Sequence, residues 1–278
     1  MHIRNLALIS EVEGHDPADV SRVAAALQRQ ALRDLGPIWD VAATVDVFPS
    51  LDDVPVGYWP MSIRTDIEHE GAEGIHLDEN NQPFALITFS DSWSLTASHE
   101  MCEMLRDPRG NELVPGPSPV PDQGRVVFVL ELCDPSEAAE FGYTVNDVLV
   151  SDFYTPRFFD PVAVEGVRYS FTGAIEKPRE VLPGGYLSWL DPVSNHLWQE
   201  RWFGEEPEFV DLTAMEPGFK SLRTEIDRRT PHPQLSRGLD KTDETLRAAI
   251  AAGEGTAAAA AAKAERLREQ IATILATG

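Results

Sequence analysis

The period of the apolar positions changes several times along the chain. Residues 3–10 form a short apolar run and predict a first strand. Asp16-Pro17 then opens a helix, because proline is tolerated in a first helical turn. Val20, Val23, Ala24, Leu27 and Ala31 follow at helical spacing, and Gly36-Pro37 predicts the end. Residues 42–48 predict a second strand, stopped by Pro49. Residues 58–63, interrupted by Pro60, predict a third, and residues 84–89 a fourth. The polar stretch 74–83, with a glycine and paired asparagines, has the composition of a turn. A helix is predicted over 93–106, with Ser92 or Ser94 as its cap and Asp107-Pro108 as its stop. A loop rich in proline and glycine covers 108–124. Residues 126–132 and 148–154 are β-prone runs.

From about residue 167 to 212 the chain is aromatic and β-like. Tyr169, Phe171, Tyr186, Trp189, Trp198, Trp202 and Phe203 surround a Pro183-Gly184-Gly185 turn. A packed β-lobe accounts for this pattern; an aromatic-lined cleft wall is the alternative. Beyond residue 212 the sequence turns polar, with Pro231 and Pro233, and residues 248–277 are Ala-rich. Alanine has the highest helix propensity but little bulk for a core. A peripheral helix that binds a partner or a second copy is expected there.

Composition narrows the functional classes. With 278 residues the chain can form one large domain or a domain with a smaller lobe. No apolar run approaches the roughly 20 residues of a membrane span, and the first ten residues read as a strand, not a signal peptide. A net charge of −23 repels nucleic-acid phosphates and anionic lipids, so no nucleic acid and no membrane is expected as a partner. The two cysteines, Cys102 and Cys133, are too few for a disulfide framework and favour a cytoplasmic location.

The predicted helix over 93–106 carries the chemistry. His99 and Glu103 are four residues apart and project from one side. Ala97, Met101 and Met104 lie roughly opposite, so one face suits a core and the other a polar site. Glu100 adjoins His99, where a carboxylate can reach a metal-held water without being a ligand. The pattern matches the H-E-x-x-H arrangement that binds zinc through two histidines and uses the glutamate as general base, with Glu103 replacing the second histidine. An amphipathic helix with exposed charges is the alternative source of the same pattern.

Two blocks of sequence give this helix a context. Ser98-His99-Glu100-Met101-Cys102-Glu103-Met104-Leu105-Arg106-Asp107-Pro108 resembles the S-H-E-x-x-E-x-x-x-D-P signature of a group of bacterial and phage zincin-like metallopeptidases. Glu131-Leu132-Cys133-Asp134-Pro135, followed by Val150-Ser151-Asp152-Phe153-Tyr154-Thr155-Pro156, is similar to the second block of that group. A more distant likeness exists to exordium-like plant proteins. The resemblance covers residues 84–160 well and the remainder loosely. It implies a backing helix, a twisted mostly parallel sheet with an antiparallel edge strand at 84–89, and then the active-site helix. In such proteins the edge strand pairs with an extended peptide substrate.

A catalytic zinc takes three protein ligands and leaves a fourth position for water. Glu131 and Asp134 stand at the end of a hydrophobic strand and can supply the third. Three apart in extended chain, they point to opposite faces, so one binds and the other orients a ligand from behind. Asp134 is favoured because the chain turns at Pro135; Glu131 in its place, or Cys133, is the alternative. Glu100 is then the general base and Tyr154 a hydrogen-bond donor to the oxyanion, unless Tyr154 is simply a buried aromatic. Asp107 reads as a helix-end residue that satisfies local backbone donors. Surface or packing roles account for His76 and His196, the other histidines that could lie near a cleft.

The expectation is therefore an α+β protein. A zincin-like metal-binding domain spans residues 1–165, a β-rich lobe 166–215, and a polar linker with a C-terminal Ala-rich helix 216–278. The expected activity is that of a zinc-dependent metallopeptidase or amide hydrolase, with one Zn2+ or another divalent metal per chain and a peptide or protein substrate. The alternative is a non-catalytic, metal-stabilised binding or assembly protein acting through the C-terminal helix.

Overall fold

A computed structural model describes residues 2–69, 72–215 and 221–230 of the chain. The fold is α+β, with mixed sheets and few helices. Strand β1 (His2–Ser10) leads to helix α1 (Pro17–Arg29), a π-type stretch (Gln30–Leu35) and a last helical turn, α2 (Gly36–Trp39). Strands β2 (Val41–Phe48), β3 (Tyr58–Arg64), β4 (Gly74–Glu79) and β5 (Gln82–Thr88) follow, and then helix α3 (Trp93–Arg106). The first sheet has the order β2-β1-β3-β5-β4. Its first four strands are parallel and β4 is antiparallel to β5. Leu6, Ala7, Leu8 and Ile9 are all fully buried, because a central parallel strand is covered on both faces and therefore reads as an unbroken apolar run.

The antiparallel edge strand is β4, not residues 84–89. Asn80 and Asn81 hold φ values of 55 and 64, the pair of left-handed residues that a tight two-residue hairpin needs. The stretch 74–83 is thus a strand and its turn, and β5 is an interior strand. Gly36-Pro37 does not end the first helical segment either. The chain passes through the wider π-type turn and stops at Asp40, whose φ of 55 breaks the helix. Aspartate tolerates that conformation because its short polar side chain bonds locally.

The second sheet has the order β12-β11-β10-β7-β6, antiparallel throughout. Its strands are β6 (Leu113–Pro117), β7 (Arg125–Val129), β10 (Tyr186–Asp191), β11 (His196–Arg201) and β12 (Glu208–Ala214); a small hairpin, β8 (Tyr143–Val145) and β9 (Val148–Val150), packs beside α3. Strand β6 lies inside the expected loop 108–124. The β7–β10 pairing joins residues from both sides of position 165. Tyr169, Tyr186 and Trp189 are buried packing residues, so these aromatics serve the core. One continuous apolar cluster runs from Leu6 and Leu8 through α1 and α3 to Phe128, Tyr154 and Trp189.

Helix α4 (Leu222–Arg229) occupies part of the stretch expected to be a polar linker. Ser221 caps it, and Leu222 and Ile226, one turn apart, pack on Val129, Tyr186, Leu197, Leu212 and Met215. The Ala-rich stretch 248–277 lies outside the described residues. Among the described residues no helix is long and apolar enough to cross a membrane.

Candidate metal centre

Helix α3 is buried on nearly every side, from Leu95 through Leu105. The alternative of an amphipathic helix with exposed charges therefore fails: the polar face is covered by other charged elements. Neither Ser92 nor Ser94 caps α3. Ser94 Oγ donates to Leu149 O at 2.9 Å, and Ser92 makes no cap hydrogen bond. A buried network pins the helix one residue before His99 instead. Ser98 Oγ donates to Gln30 Oε1 and accepts from Ser151 N–H, both at 2.8 Å, while Gln30 Nε2 donates to Ser151 O at 3.0 Å. Asp107 accepts from Glu112 N–H at 2.6 Å, the local role its place at the helix end suggested.

Four separate stretches meet at the polar face of α3. His99 Nε2 lies 3.3 Å from Glu103 Oε2 and 3.3 Å from Asp134 Oδ1. His76, on β4, places Nδ1 3.3 Å from Glu100 Oε2 and 3.7 Å from Glu103 Oε2. From α4, Arg223 Nη1 stands 3.1 Å from Asp134 Oδ2, 3.4 Å from Glu131 Oε2 and 3.7 Å from Glu103 Oε2. Its Nε faces Asp227 Oδ1 at 2.9 Å. Two glycines allow these approaches. A Cβ on Gly74 would sit 2.6 Å from Glu100 Oε1, and one on Gly110, at φ 58, would sit 2.5 Å from Arg223 Cβ.

His99, Glu103 and Asp134 are thus brought together, as expected. Asp134 faces His99, whereas Glu131 faces Arg223. Cys133 N–H donates to Glu103 Oε1 at 3.0 Å, which fixes that carboxylate and turns Oε2 toward the histidines. Cys133 Sγ also forms a close group with His99 and Glu103, and Glu137 forms one with His99 and Asp134, with ligand atoms within 4.8 Å of one another. Burial pushes the Cys133 thiol well above its ordinary pKa in the absence of a metal, as it does the Asp134 carboxyl.

Electrostatics show a cluster overloaded with negative charge. Burial would lower the His99 pKa, but Glu103, Asp134 and Glu100 outweigh it and hold it well above the ordinary value. His76 is likewise raised by Glu100 and Glu103 against its burial. Burial would raise Glu103, but His99, Arg223 and His76 hold it well below the carboxylate range. Burial raises Glu131, Asp134 and Glu137, and the neighbouring acids add to the shift. Protons thus accumulate where a cation would relieve the same repulsion. Glu103 Oε2 and Asp134 Oδ1 are buried with no hydrogen-bond partner among the described residues. Ligands set tetrahedrally about 2.0–2.1 Å from a zinc lie about 3.3 Å from one another, the separation found here between His99 and both acids. The residues fit a divalent metal.

The remaining expected residues divide. Tyr154 is fully buried and stacked on Phe158 at 4.3 Å. Its hydroxyl has no hydrogen-bond partner among the described residues, and burial together with Glu131, Glu103 and Asp134 raises its pKa well above normal. Asp152, from the same block, ties two loops together, accepting from Thr172 N–H at 2.9 Å and from Thr172 Oγ1 at 2.8 Å. His196 pairs with Asp211 at 2.8 Å on the outer part of the second sheet.

His76 is no surface or outlying packing residue; it belongs to the cluster, as do Arg223, Asp227 and Glu137. A histidine two residues after a glycine in a polar stretch gave little signal. Arg223 gave none in a linker-like segment, although its spacing to Asp227 is that of a helical ion pair. Compared with protein-family models, curated proteins and solved structures, the chain finds no match in any of the three.

Proposed function

We propose that this chain is a metal-dependent hydrolase of zincin-like architecture that cleaves a peptide or other amide bond. His99, Glu103 and Asp134 would hold one zinc ion, and Glu100 would serve as general base. The single observation that carries this reading is the pair of 3.3 Å separations from His99 Nε2 to two buried acids on different elements. The sheet order, with its antiparallel edge strand immediately before the strand that leads into α3, supports the zincin-like part. An extended peptide would lie along β4 by strand addition. The two free, buried cysteines suit a cytoplasmic location.

When bound, the metal supplies Lewis acidity and lowers the pKa of a water it holds toward neutrality. Glu100 takes the proton from the attacking water and passes it to the leaving amine. His76 holds the Glu100 carboxylate in place. Arg223 grips Asp134 through Oδ2 and leaves Oδ1 turned toward His99. The Tyr154 hydroxyl offers a donor for the oxyanion. Glu131, paired with Arg223, acts from behind Asp134.

The test is metal content followed by hydrolysis. About one zinc per chain should remain after dialysis at these residues, and a His99→Ala variant should lose it. Glu100→Gln should keep the His99-centred zinc and lose hydrolysis of a peptide library. No metal in the zinc-supplied wild-type protein would sink the reading. A second reading, a structural metal in a binding or assembly protein, is favoured by the burial of His76, His99, Glu100, Glu103, Asp134 and Glu137. Metal bound without hydrolysis of any library peptide would support it.

A further inference from the structure

We propose that the chain holds a second divalent cation between His76, Glu100 and Glu103, bridged to the first through the Glu103 carboxylate. This inference rests on the metal reading above for the shared ligand. Glu103 Oε2 is the common vertex: it lies 3.3 Å from His99 Nε2 on one side and 3.7 Å from His76 Nδ1 on the other. His76 Nδ1 is in turn 3.3 Å from Glu100 Oε2. The 3.3 Å separation again matches ligands around one small dication at about 2.0–2.2 Å, and the 3.7 Å one is slightly wider.

Two observations point to a ligand rather than to mere acidity. Glu103 Oε2 is fully buried, has no hydrogen-bond partner among the described residues, and faces both imidazoles. His76 comes from a different element, β4, and its side chain is fully buried with the imidazole turned onto α3. An aliphatic side chain would satisfy an inward position on a strand without the desolvation cost of an imidazole. The close approach of Gly74 to Glu100 shows the strand drawn tightly onto that carboxylate.

The charge balance points the same way. Glu100, Glu103, Glu131, Asp134, Glu137 and Asp227 converge within one cluster, with Arg223 as the permanent cation facing them. Each dication held here takes the place of protons that the crowded acids otherwise retain. In carboxylate-bridged pairs the ions sit about 3.5–4 Å apart. The second position, like the first, has one imidazole and two carboxylates, a set suited to manganese or iron as well as zinc. Glu100 can hold a cation through one oxygen and still accept a proton at the other.

The full-length protein, stripped of metal, should be titrated with zinc alone and with manganese alone. Metal per chain is then measured by mass spectrometry after gel filtration. The wild type should hold two ions, and His76→Gln should hold one. With manganese, the paramagnetic resonance spectrum should show an exchange-coupled pair in the wild type and an isolated ion in His76→Gln. One ion in the wild type, or two in His76→Gln, overturns the second site and leaves the first intact. No metal in the wild type overturns both. Should His76→Gln fail to fold, the wild-type stoichiometry and its coupled or uncoupled spectrum still decide.

Discussion

Helices α3 and α4 feed charged side chains into one cluster, and they are anchored in different ways. α3 has 14 residues and is buried almost throughout, with Met101, Cys102 and Met104 set in the main core. α4 has 8 residues and buries only Leu222, Arg223 and Ile226. α3 brings an imidazole and two carboxylates; α4 brings a guanidinium together with the Asp227 carboxylate. The candidate metal-binding face is therefore built into the buried centre of the molecule, and its counter-charge arrives on a short helix with a narrow apolar stripe. The lesson is that the cation side of this balance is the replaceable side.

Removing the guanidinium should have the largest effect on this charge balance. Arg223→Met keeps the apolar length of the side chain but leaves buried carboxylates of Asp134 and Glu131 without their partner. Losing one member of a buried ion cluster costs about 3–5 kcal/mol, so urea unfolding of the metal-free variant should show a loss of that order. Zinc should then restore more stability to the variant than it adds to the wild type, since it takes over the missing charge. An unchanged unfolding midpoint without metal would mean that α4 carries no share of the charge balance.

The pH dependence of the metal-free protein sharpens the same point. Burial pushes Asp227 up to about 6, against the pull of Arg223 and with Glu100 and Asp134 adding to the rise. A carboxyl raised in the folded state favours folding while it is protonated. The stability it contributes is complete below its unfolded value of 3.8 and lost as pH rises through about 6. The size is on the order of 3 kcal/mol for a shift of about two units. Glu131, Asp134 and Glu137 are raised too, so their contributions fall in the same direction. Metal-free protein should lose stability as pH rises across this window, and saturating zinc should flatten the curve because ligation requires the deprotonated forms. Stability that rises with pH in the absence of metal would contradict this account.

The contrast between the helices also governs how much could be read from sequence. α3 was legible to its end residues, because long helical periodicity, a proline stop and the His99-Glu103 spacing all act within one segment. Asp134 was legible as well: it stands where a β-prone run gives way to proline. β4 was not, since Gly74, His76, Asp78 and Glu79 hide a strand whose pairing is set by the turn at Asn80-Asn81. Arg223 was not, because what places it is contact with acids 89 and more residues back in the chain, and a polar segment carries no period that records such a contact. The burial of α3 on both faces was missed for the same reason: its polar face is covered by partners distant in sequence.

The mildest perturbation separates the charge of α4 from its existence as a helix. Ser221 Oγ accepts from Thr224 N–H at 3.1 Å, which satisfies one of the free donors at the helix start. Ser221→Ala removes that acceptor at a typical cost of about 1 kcal/mol and leaves Arg223, Asp227 and every acid in place. If α4 is held chiefly by the acids it neutralises, as the narrow Leu222–Ile226 contact suggests, the cost should be near this value without metal. It should grow when zinc is bound, because the cation then competes for the charge that retains the helix. Amide exchange at residues 224–229, measured with and without zinc, reads that difference directly. Equal protection in both states would mean that the apolar stripe alone holds α4, and that the guanidinium rides on a helix whose position does not depend on the cluster.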